Sequence, residues 1–188
     1  MIEVRSVAQV RAAEEEAFAV LPEGALMQRA ALALAITCAR LLTDETGGVV
    51  GTRVALLIGA GNNGGDALWA GADLARRGAR VDAVCLSERM HAEGAAALRR
   101  AGGRLHAWPA AGAEGAAVVA AADLVIDGIL GIGGVGGLRP DAIALVDLID
   151  SALVVAVDVP SGVDADTGAV VGAAVVADVT VTFAAVKP

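Results

Sequence analysis

Aromatic side chains are scarce in this chain of 188 residues, making up only 2% of it, and tyrosine is absent. Hydrophobic residues nevertheless amount to 56%, and the chain also contains 24 glycines. The core must therefore consist of alanine, valine, leucine and isoleucine packed closely against glycine-rich backbone. The length suits one domain with a full hydrophobic core.

Positive charge is also in short supply, since the formal net charge is −8 at pH 7. Such a chain does not attract nucleic acid or an anionic membrane surface, so neither is expected as a partner. No uncharged apolar run approaches the roughly 18 residues of a membrane span. Glu3, Arg5 and the acidic run 14–16 rule out a signal peptide. We therefore predict a cytoplasmic protein.

The chain has two cysteines and two histidines, and none of them has a metal-binding spacing. Cys38 and Cys85 lie within apolar runs, which predicts buried free thiols in a cytosolic protein. His91 and His106 are interpreted as surface or strand residues. No zinc site is expected.

From residue 54 onward, short apolar runs alternate with helical patterns, which is typical of βαβ units and a parallel sheet covered on both faces. The predicted strands are residues 54–58, 81–85, 124–126, 154–157 and 179–183, with 104–108 as a further candidate. The predicted helices are residues 67–77, 92–100, 115–122 and 140–149. We therefore predict an α/β fold, a three-layer αβα Rossmann-like sandwich with a mostly parallel central sheet.

Two further helices are predicted before the sheet. A capping-box pattern at Ser6 and Gln9 opens the first, which extends to about residue 21, and the second extends to about residue 42. Residues 43–51 are polar and contain glycine, which predicts a linker. The organisation predicted is a single domain over residues 1–188, with residues 1–48 forming a helical segment packed on the sheet.

The most informative stretch is the glycine-rich segment 59–66, between the first strand and a helix. Backbone N–H groups and a helix N-terminus at such a junction favour an anion, usually a nucleotide phosphate. No Lys-Ser/Thr pair follows Gly65, so this is not a P-loop, and Glu88 comes late for the ribose-binding acid of a dinucleotide fold. Asn62-Asn63 followed by Asp66 indicates further polar contacts, although a capped Asn-rich turn would also explain it.

Polar residues also follow two later strands. Asp127 and Asp158 each come directly after an apolar run, and Ser161 follows closely. Each aspartate alone could cap a helix or a turn. Because the carboxyl ends of parallel strands share one edge of the sheet, both aspartates and the Asn-rich segment together favour a binding site. The glycine run after Asp127 is either a flexible loop or a second phosphate cradle.

With these motifs in hand, the chain resembles the YjeF N-terminal family of NAD(P)H-hydrate epimerases, which are often fused to a dehydratase that repairs the same damaged cofactor. The motifs that carry the resemblance are Asn62-Asn63-Gly64-Gly65-Asp66, Asp127-Gly128-Ile129-Leu130-Gly131, Asp158-Val159-Pro160-Ser161-Gly162 and the closing stretch 180–188 that ends in Lys187-Pro188. Residues 26–30 resemble the family's early Leu-Met-Glu-Arg-Ala helix. The match covers nearly the whole chain in the right order.

The resemblance implies specific roles. Residues contacting the hydrated dinucleotide NAD(P)HX, the substrate, would be Asn62, Asn63, Gly64, Gly65 and Asp66, with phosphates held by Gly131, Ile132, Gly133, Gly134, Val135, Gly136 and Gly137. A potassium ion would be bound by Asn63, Asp127 and Ser161, whose oxygen atoms suit a hard cation. Asp158 would contact the hydrated ring. Because a partly desolvated carboxylate can serve as general acid and base, we assign the catalytic role to Asp158. Gly64→Val should then weaken binding by steric block, with little loss of thermal stability if the φ of Gly64 is negative.

Three departures from the family pattern stand out. Ile132 replaces the usual threonine of the glycine loop, which removes one hydroxyl. Gln28 replaces a glutamate in the early helix. The family continues beyond Lys187-Pro188 through a further strand, which is absent here.

The leading functional hypothesis is epimerisation of NAD(P)HX between its S and R forms. The alternative is a non-catalytic nucleotide-binding or scaffold module of the same fold. Scaffold members of the family tend to lose the site residues, so their retention here favours the enzyme; the retained residues are Asn63, Asp66, Asp127, Asp158 and Ser161. An ordinary dehydrogenase is less favoured, because no tyrosine is available beside a nicotinamide. A homodimer and a fused or separate dehydratase are the expected partners.

Overall fold

The computed structural model describes residues 5–22, 24–134, 136–183 and 185–187, and of Phe18 only the backbone. Its central feature is a six-stranded sheet with the order β3-β2-β1-β4-β5-β6, in which every neighbouring pair is parallel. The strands are β1 (Arg53–Ile58), β2 (Arg80–Cys85), β3 (Arg104–Ala107), β4 (Leu124–Gly128), β5 (Leu153–Val157) and β6 (Val179–Val181). The helices are α1 (Val7–Phe18), α2 (Ala25–Thr46), α3 (Asn62–Arg76), α4 (Ala92–Arg100), α5 (Gly112–Ala120) and α6 (Pro140–Val146).

The two faces of the sheet carry separate apolar clusters, which makes the fold three-layered as the sequence predicts. In β1, Val54, Leu56 and Ile58 join the cluster formed with α2, α3 and α4. Ala55 and Leu57 point to the other face, into the cluster formed with α5 and α6. This alternation follows from the two-residue period of a strand, and both faces are buried because helices cover both.

Helix α2 packs with one side in the core, through Leu34, Cys38 and Leu42, each fully buried. Among the described residues it is also the one helix whose length and composition alone would allow it to cross a membrane. The sequence-based expectation of no membrane span rested on the lack of a long apolar segment without charged residues. Helix α2 agrees with that criterion, because it carries Arg29 and Arg40. Its buried side contacts the protein's own core.

Both cysteines are buried and unpaired, as predicted. Burial raises the pKa of the Cys38 thiol to about 12 and that of Cys85 to about 11, so both stay protonated at neutral pH. His106 lies in β3, where its Nε2 is 2.8 Å from Asp82 Oδ1, and His91 caps α4 by accepting a hydrogen bond from the Gly94 amide. These two histidines therefore have structural partners.

Several predicted boundaries were wrong, and one matters for function. The capping box at Ser6 is formed, and α2 runs to Thr46 into the predicted linker. Helix α3 begins at Asn62, five residues before the predicted start. The Asn-Asn-Gly-Gly-Asp motif is therefore the first part of a helix and not a loop. Two adjacent glycines disfavour a helix locally, but packing on β1 overrides that preference.

Gly64 explains why that packing needs a glycine. A Cβ atom at this position would lie 2.6 Å from the Gly59 carbonyl oxygen and 3.3 Å from Ile58 Cγ2. Gly64 lies on the buried side of α3, where this helix meets the end of β1. The expectation that a bulky residue here leaves thermal stability nearly unchanged is therefore wrong, because the obstructing atom belongs to the backbone.

We predict that Gly64→Ala lowers the free energy of unfolding by about 1–3 kcal/mol through overpacking. The matched control is Gly48→Ala, where nothing lies within 4 Å of the added Cβ, and a change within about 0.5 kcal/mol is expected. Chemical denaturation of both variants measures the difference. Equal stabilities would contradict the close approach of α3 to β1.

Candidate functional site

A cavity of about 610 Å³ opens at the carboxyl edge of the sheet, where β2 and β3 lie on one side of β1 and β4 to β6 on the other. Ligands of open parallel sheets bind at such a reversal of strand order. Of the residues predicted to bind the dinucleotide, those lining the cavity are Asn62, Asn63, Gly131, Ile132, Gly133, Gly134 and Gly137. Gly64, Gly65, Asp66, Gly136 and Asp158 are not among its lining residues, and Val135 lies outside the described residues.

Helix α3 begins at this cavity. Its N-cap is Gly61 in an extended conformation, and no side chain caps the first turn. The first amides of a helix have no partner within the helix, so those at Asn62 and Asn63 are available to an anion beside the cavity. The macrodipole of a 15-residue helix adds a partial positive charge at the same place.

Asn63, Asp127 and Ser161 come together at the end of β4, as predicted. Asn63 Nδ2 donates to two backbone carbonyls, at 3.1 Å to Leu130 O and 2.6 Å to Val157 O. The Ser161 hydroxyl lies 2.6 Å from Asp127 Oδ1 and accepts from the Leu130 amide at 2.9 Å. The ends of β4 and β5 thus contribute oxygen atoms to one small region, and Asn63 contributes its amide nitrogen.

Asp127 is fully buried, and its hydrogen bonds come from neutral groups. The donors are the Ser161 hydroxyl, the Ser161 amide at 2.8 Å and the Ile129 amide at 3.2 Å. Burial raises the pKa of this carboxyl, while the Ser161 hydrogen bonds act in the opposite direction. A buried carboxylate beside two backbone carbonyls suits a bound cation, because a hard cation prefers oxygen ligands and would compensate the charge.

Asp158 follows β5 with φ +68°, the one positive φ at a non-glycine residue among those described. Its carboxylate forms a buried ion pair with Lys187 Nζ, with side chains only 8% and 4% exposed. The Thr182 hydroxyl lies 3.2 Å from Asp158 Oδ1, and Lys187 Nζ also donates to the Phe183 carbonyl at 3.0 Å. Strand β6 positions this group, because the Asp158 amide donates to Val181 O at 2.8 Å.

Sequence reasoning gave no role to Lys187 or to Glu14, although each carries a signal. Lys187 is the single lysine of the chain, whereas arginine occurs many times. Glu14 lies one helical turn after Val10, which is buried, so it faces inward and lines the cavity. Burial raises the pKa of Glu14, and the charge of Asp158 raises it further, whereas Lys187 and Arg11 lower it. Helix α1 therefore borders the site.

Asp66 is the one buried side chain among those described with an oxygen atom that has no hydrogen-bond partner, Oδ1. It is 7% exposed. Burial raises the pKa of this carboxyl to about 7, and the nearby charges of Asp158 and Glu14 contribute in the same direction. Asp66 and Glu14 thus each interact electrostatically with Asp158, and Lys187 interacts with Asp158 and Glu14.

The family model of the YjeF-related protein N-terminus matches residues 23–188. The chain belongs to this family. It is 52% identical over 186 residues to the bifunctional NAD(P)H-hydrate repair enzyme Nnr of Mycobacterium tuberculosis (strain ATCC 25618 / H37Rv). The matched region covers 97% of this chain and 37% of that protein. This YjeF-type domain thus spans little more than a third of that relative.

Two further comparisons bear on the domain. It is 45% identical over 185 residues to the NAD(P)H-hydrate epimerase of Microbacterium testaceum (strain StLB037), covering 95% of this chain and 68% of that one. The crystal structure of yeast ynu0 superposes with a TM-score of 0.84 at 21% identity, over 100% of this chain and 82% of that chain. The latter confirms the α/β fold.

We predict that Asp66→Asn stabilises the YjeF-type domain more at pH 8 than at pH 5. The folded pKa of Asp66 is about 7 and the ordinary value is 3.8, so between these values the unfolded chain binds fewer protons and stability falls as pH rises. Asparagine removes this cost, which reaches at most about 4 kcal/mol above pH 7.

Denaturant unfolding at both pH values measures the effect. The control is Asp44→Asn, an exposed change on α2, which should follow the pH dependence of the wild type. If Asp66→Asn and Asp44→Asn show the same pH dependence, the carboxyl of Asp66 is ionised in the folded domain and the prediction is wrong.

Proposed function

We propose that this domain catalyses the interconversion of the S and R forms of hydrated NADH or NADPH, as an NAD(P)H-hydrate epimerase. The observation that carries the proposal is the buried Asp158–Lys187 ion pair at the carboxyl edge of β5. Relatives named NAD(P)H-hydrate epimerase, 45% identical over most of the chain, support it. Desolvated acid and base groups beside a dinucleotide cavity are what such a reaction requires.

Epimerisation inverts a carbon that bears a hydroxyl group and adjoins the ring nitrogen. Protonation of that hydroxyl lets water leave while the nitrogen lone pair forms a cationic C=N bond. Addition of water to the opposite face, with loss of a proton, restores the hydrate in the inverted form. The reaction is redox-neutral, so the domain must supply one proton donor, one proton acceptor and a negative charge near the ring.

The acids of the site can fill these roles. Asp158 carries the negative charge that stabilises a cationic ring, and with Lys187 it can exchange a proton with the substrate. Glu14 lines the cavity and interacts electrostatically with both. It therefore links the bound dinucleotide to the pair. The first turn of α3 and the glycine loop after β4 would hold the phosphates.

Potassium is part of the proposal. We assign the ion to Asn63, Asp127 and Ser161. Asp127, Ser161 and the carbonyl oxygens of Leu130 and Val157 supply oxygen ligands, whereas Asn63 donates to both carbonyls through Nδ2, so its amide would have to turn for Oδ1 to bind the ion. A cation there would neutralise the buried Asp127 carboxylate and help to hold the phosphates. Within the proposal we also include a cytoplasmic location and a homodimer. A dehydratase that consumes one epimer is a further proposed partner, and the bifunctional name of the mycobacterial relative supports this last point.

The scaffold alternative predicts that the domain binds ligands without accelerating epimerisation. The deciding assay supplies pure (R)-hydrate together with a dehydratase that accepts only the S form. Loss of substrate above the spontaneous rate then reports epimerase activity. A rate equal to the spontaneous one would leave the binding module as the remaining function.

We predict that Asp158→Asn lowers kcat at least about 100-fold, because asparagine cannot take a proton or balance the ring charge. The single variant also leaves Lys187 buried without its partner, which lowers stability. The double variant Asp158→Asn/Lys187→Met removes both charges, so it should regain stability without regaining activity. Turnover unchanged in the single variant would remove Asp158 from the mechanism.

We further predict that potassium chloride raises the Tm of the wild type relative to choline chloride at equal ionic strength, because an ion bound only to the folded state stabilises it. Asp127→Asn should lose this response, and the exposed change Asp150→Asn should keep it. Equal wild-type Tm values in the two salts would contradict a potassium site.

A further inference from the structure

The charge of the cavity differs from that of the whole chain. Three arginines line it, Arg11, Arg89 and Arg139, against one carboxylate, Glu14. The chain itself carries a net charge of −8. The net negative charge of the protein does not attract an anionic ligand from a distance. The arginines can still bind such a ligand once it is inside the cavity, because the short distance makes their attraction stronger than the screened repulsion from the rest of the protein.

Two of these arginines flank the glycine loop that follows β4. Arg11 Nη2 lies 3.6 Å from the position that a Cβ atom on Gly133 would occupy. Arg139 lies two residues after Gly137, the last glycine of the loop, and is the N-cap of α6. Together with the first turn of α3, these groups account for the two charges of a pyrophosphate. Arg89 lies at a different place, beyond the end of β2.

The segment after β2 determines which side chains enter the cavity. The Leu86 amide donates to Ile58 O at 2.9 Å, which holds this segment beside β1. The Arg89 amide donates to the Ser87 hydroxyl oxygen at 3.1 Å, which closes a tight turn. Ser87 and Arg89 line the cavity of about 610 Å³ at the carboxyl edge of the sheet, which is the one proposed for the dinucleotide. Glu88 and Trp108 line a neighbouring cavity of about 290 Å³, and Ser87 lies between the two because it also borders that cavity.

This arrangement bears on the second strand's usual role in dinucleotide binding. An acidic residue at that strand end accepts hydrogen bonds from the ribose hydroxyls of an unphosphorylated cofactor, while an arginine accommodates a 2′-phosphate. Here Glu88 lines the neighbouring cavity and Arg89 lines the cavity proposed for the dinucleotide. Within the described residues, the Arg89 guanidinium has no hydrogen bond or ion pair, so it is available to a ligand.

We propose that Arg89 and Ser87 bind the 2′-phosphate of the adenosine ribose, so that the domain prefers the hydrate of NADPH over that of NADH. The proposal rests on the epimerase function, since it places the dinucleotide in the same cavity. The guanidinium supplies a charge-assisted contact, and the Ser87 hydroxyl can donate a second hydrogen bond.

Binding of the intact cofactors tests the proposal without turnover. Isothermal titration calorimetry should show that the wild type binds NADP⁺ about 10- to 100-fold more tightly than NAD⁺, as expected for one charge-assisted contact. Arg89→Gln should abolish that difference by weakening NADP⁺ binding alone. Adenosine 2′,5′-bisphosphate and AMP should show the same pattern, since they lack the nicotinamide.

Arg139→Gln is the matched control, because it removes the same charge from the same cavity near the glycine loop. It should weaken NADP⁺ and NAD⁺ alike and leave their ratio unchanged. Glu88→Gln should also leave the ratio unchanged, because its side chain lines the other cavity. Arg89 is exposed, so its variant should unfold at the wild-type Tm.

Equal wild-type affinities, or an unchanged ratio in Arg89→Gln, would overturn the proposal. Epimerase assays separate this from failure of the proposed function. A wild type that turns over both hydrates with equal kcat/KM is an epimerase without the proposed selectivity. If neither hydrate is turned over, the epimerase proposal fails, and the ratio of NADP⁺ to NAD⁺ affinities still decides the role of Arg89.

Discussion

The close approach of three backbone segments is the constraint on which the site depends. The end of β1, the first turns of α3 and the loop after β4 meet where no Cβ atom fits. A Cβ on Gly59 would overlap the Ile129 carbonyl, and one on Gly128 would lie 2.8 Å from Ala67 Cβ and 3.0 Å from Asn63 O. Glycine at these positions is required by space, not by φ. The resulting contact brings helix amides, carbonyl oxygens and Asp127 into one region.

Buried charge is concentrated around this contact, although the fold as a whole needs little of it. Asp127, Asp158, Asp66 and Lys187 are all at most 8% exposed, and the other buried acidic, basic or histidine side chains among the described residues are Asp82 and His106. Burying ionisable groups costs free energy unless each has a partner. Asp158 has Lys187, Asp127 has hydrogen bonds from Ser161, and Asp66 has no partner for Oδ1. Such an uneven arrangement is typical of functional sites.

Regular hydrophobic periods made the framework predictable. The strand centres and the exact extent of α4 follow from local patterns, because a parallel strand covered on both faces is predominantly apolar. The start of α3 did not follow, because Asn-Asn-Gly-Gly has low helix propensity and only packing against β1 makes it helical. Asn63, Asp127 and Ser161 could be placed together from sequence, since each lies at or beyond the carboxyl end of a strand and these ends share one sheet edge.

The sequence by itself determined the α/β class, the polar strand ends and the family motifs, because each is written in residue order and period. Only the tertiary structure decided which side chains meet. Lys187 reaches Asp158 across 29 positions of sequence because β6 pairs with β5. Glu14 borders the cavity because α1 lies beside the carboxyl edge of the sheet. Likewise, the turn after β2 places Arg89 in one cavity and Glu88 in another. Side-chain direction in a turn depends on three-dimensional contacts that no local pattern encodes.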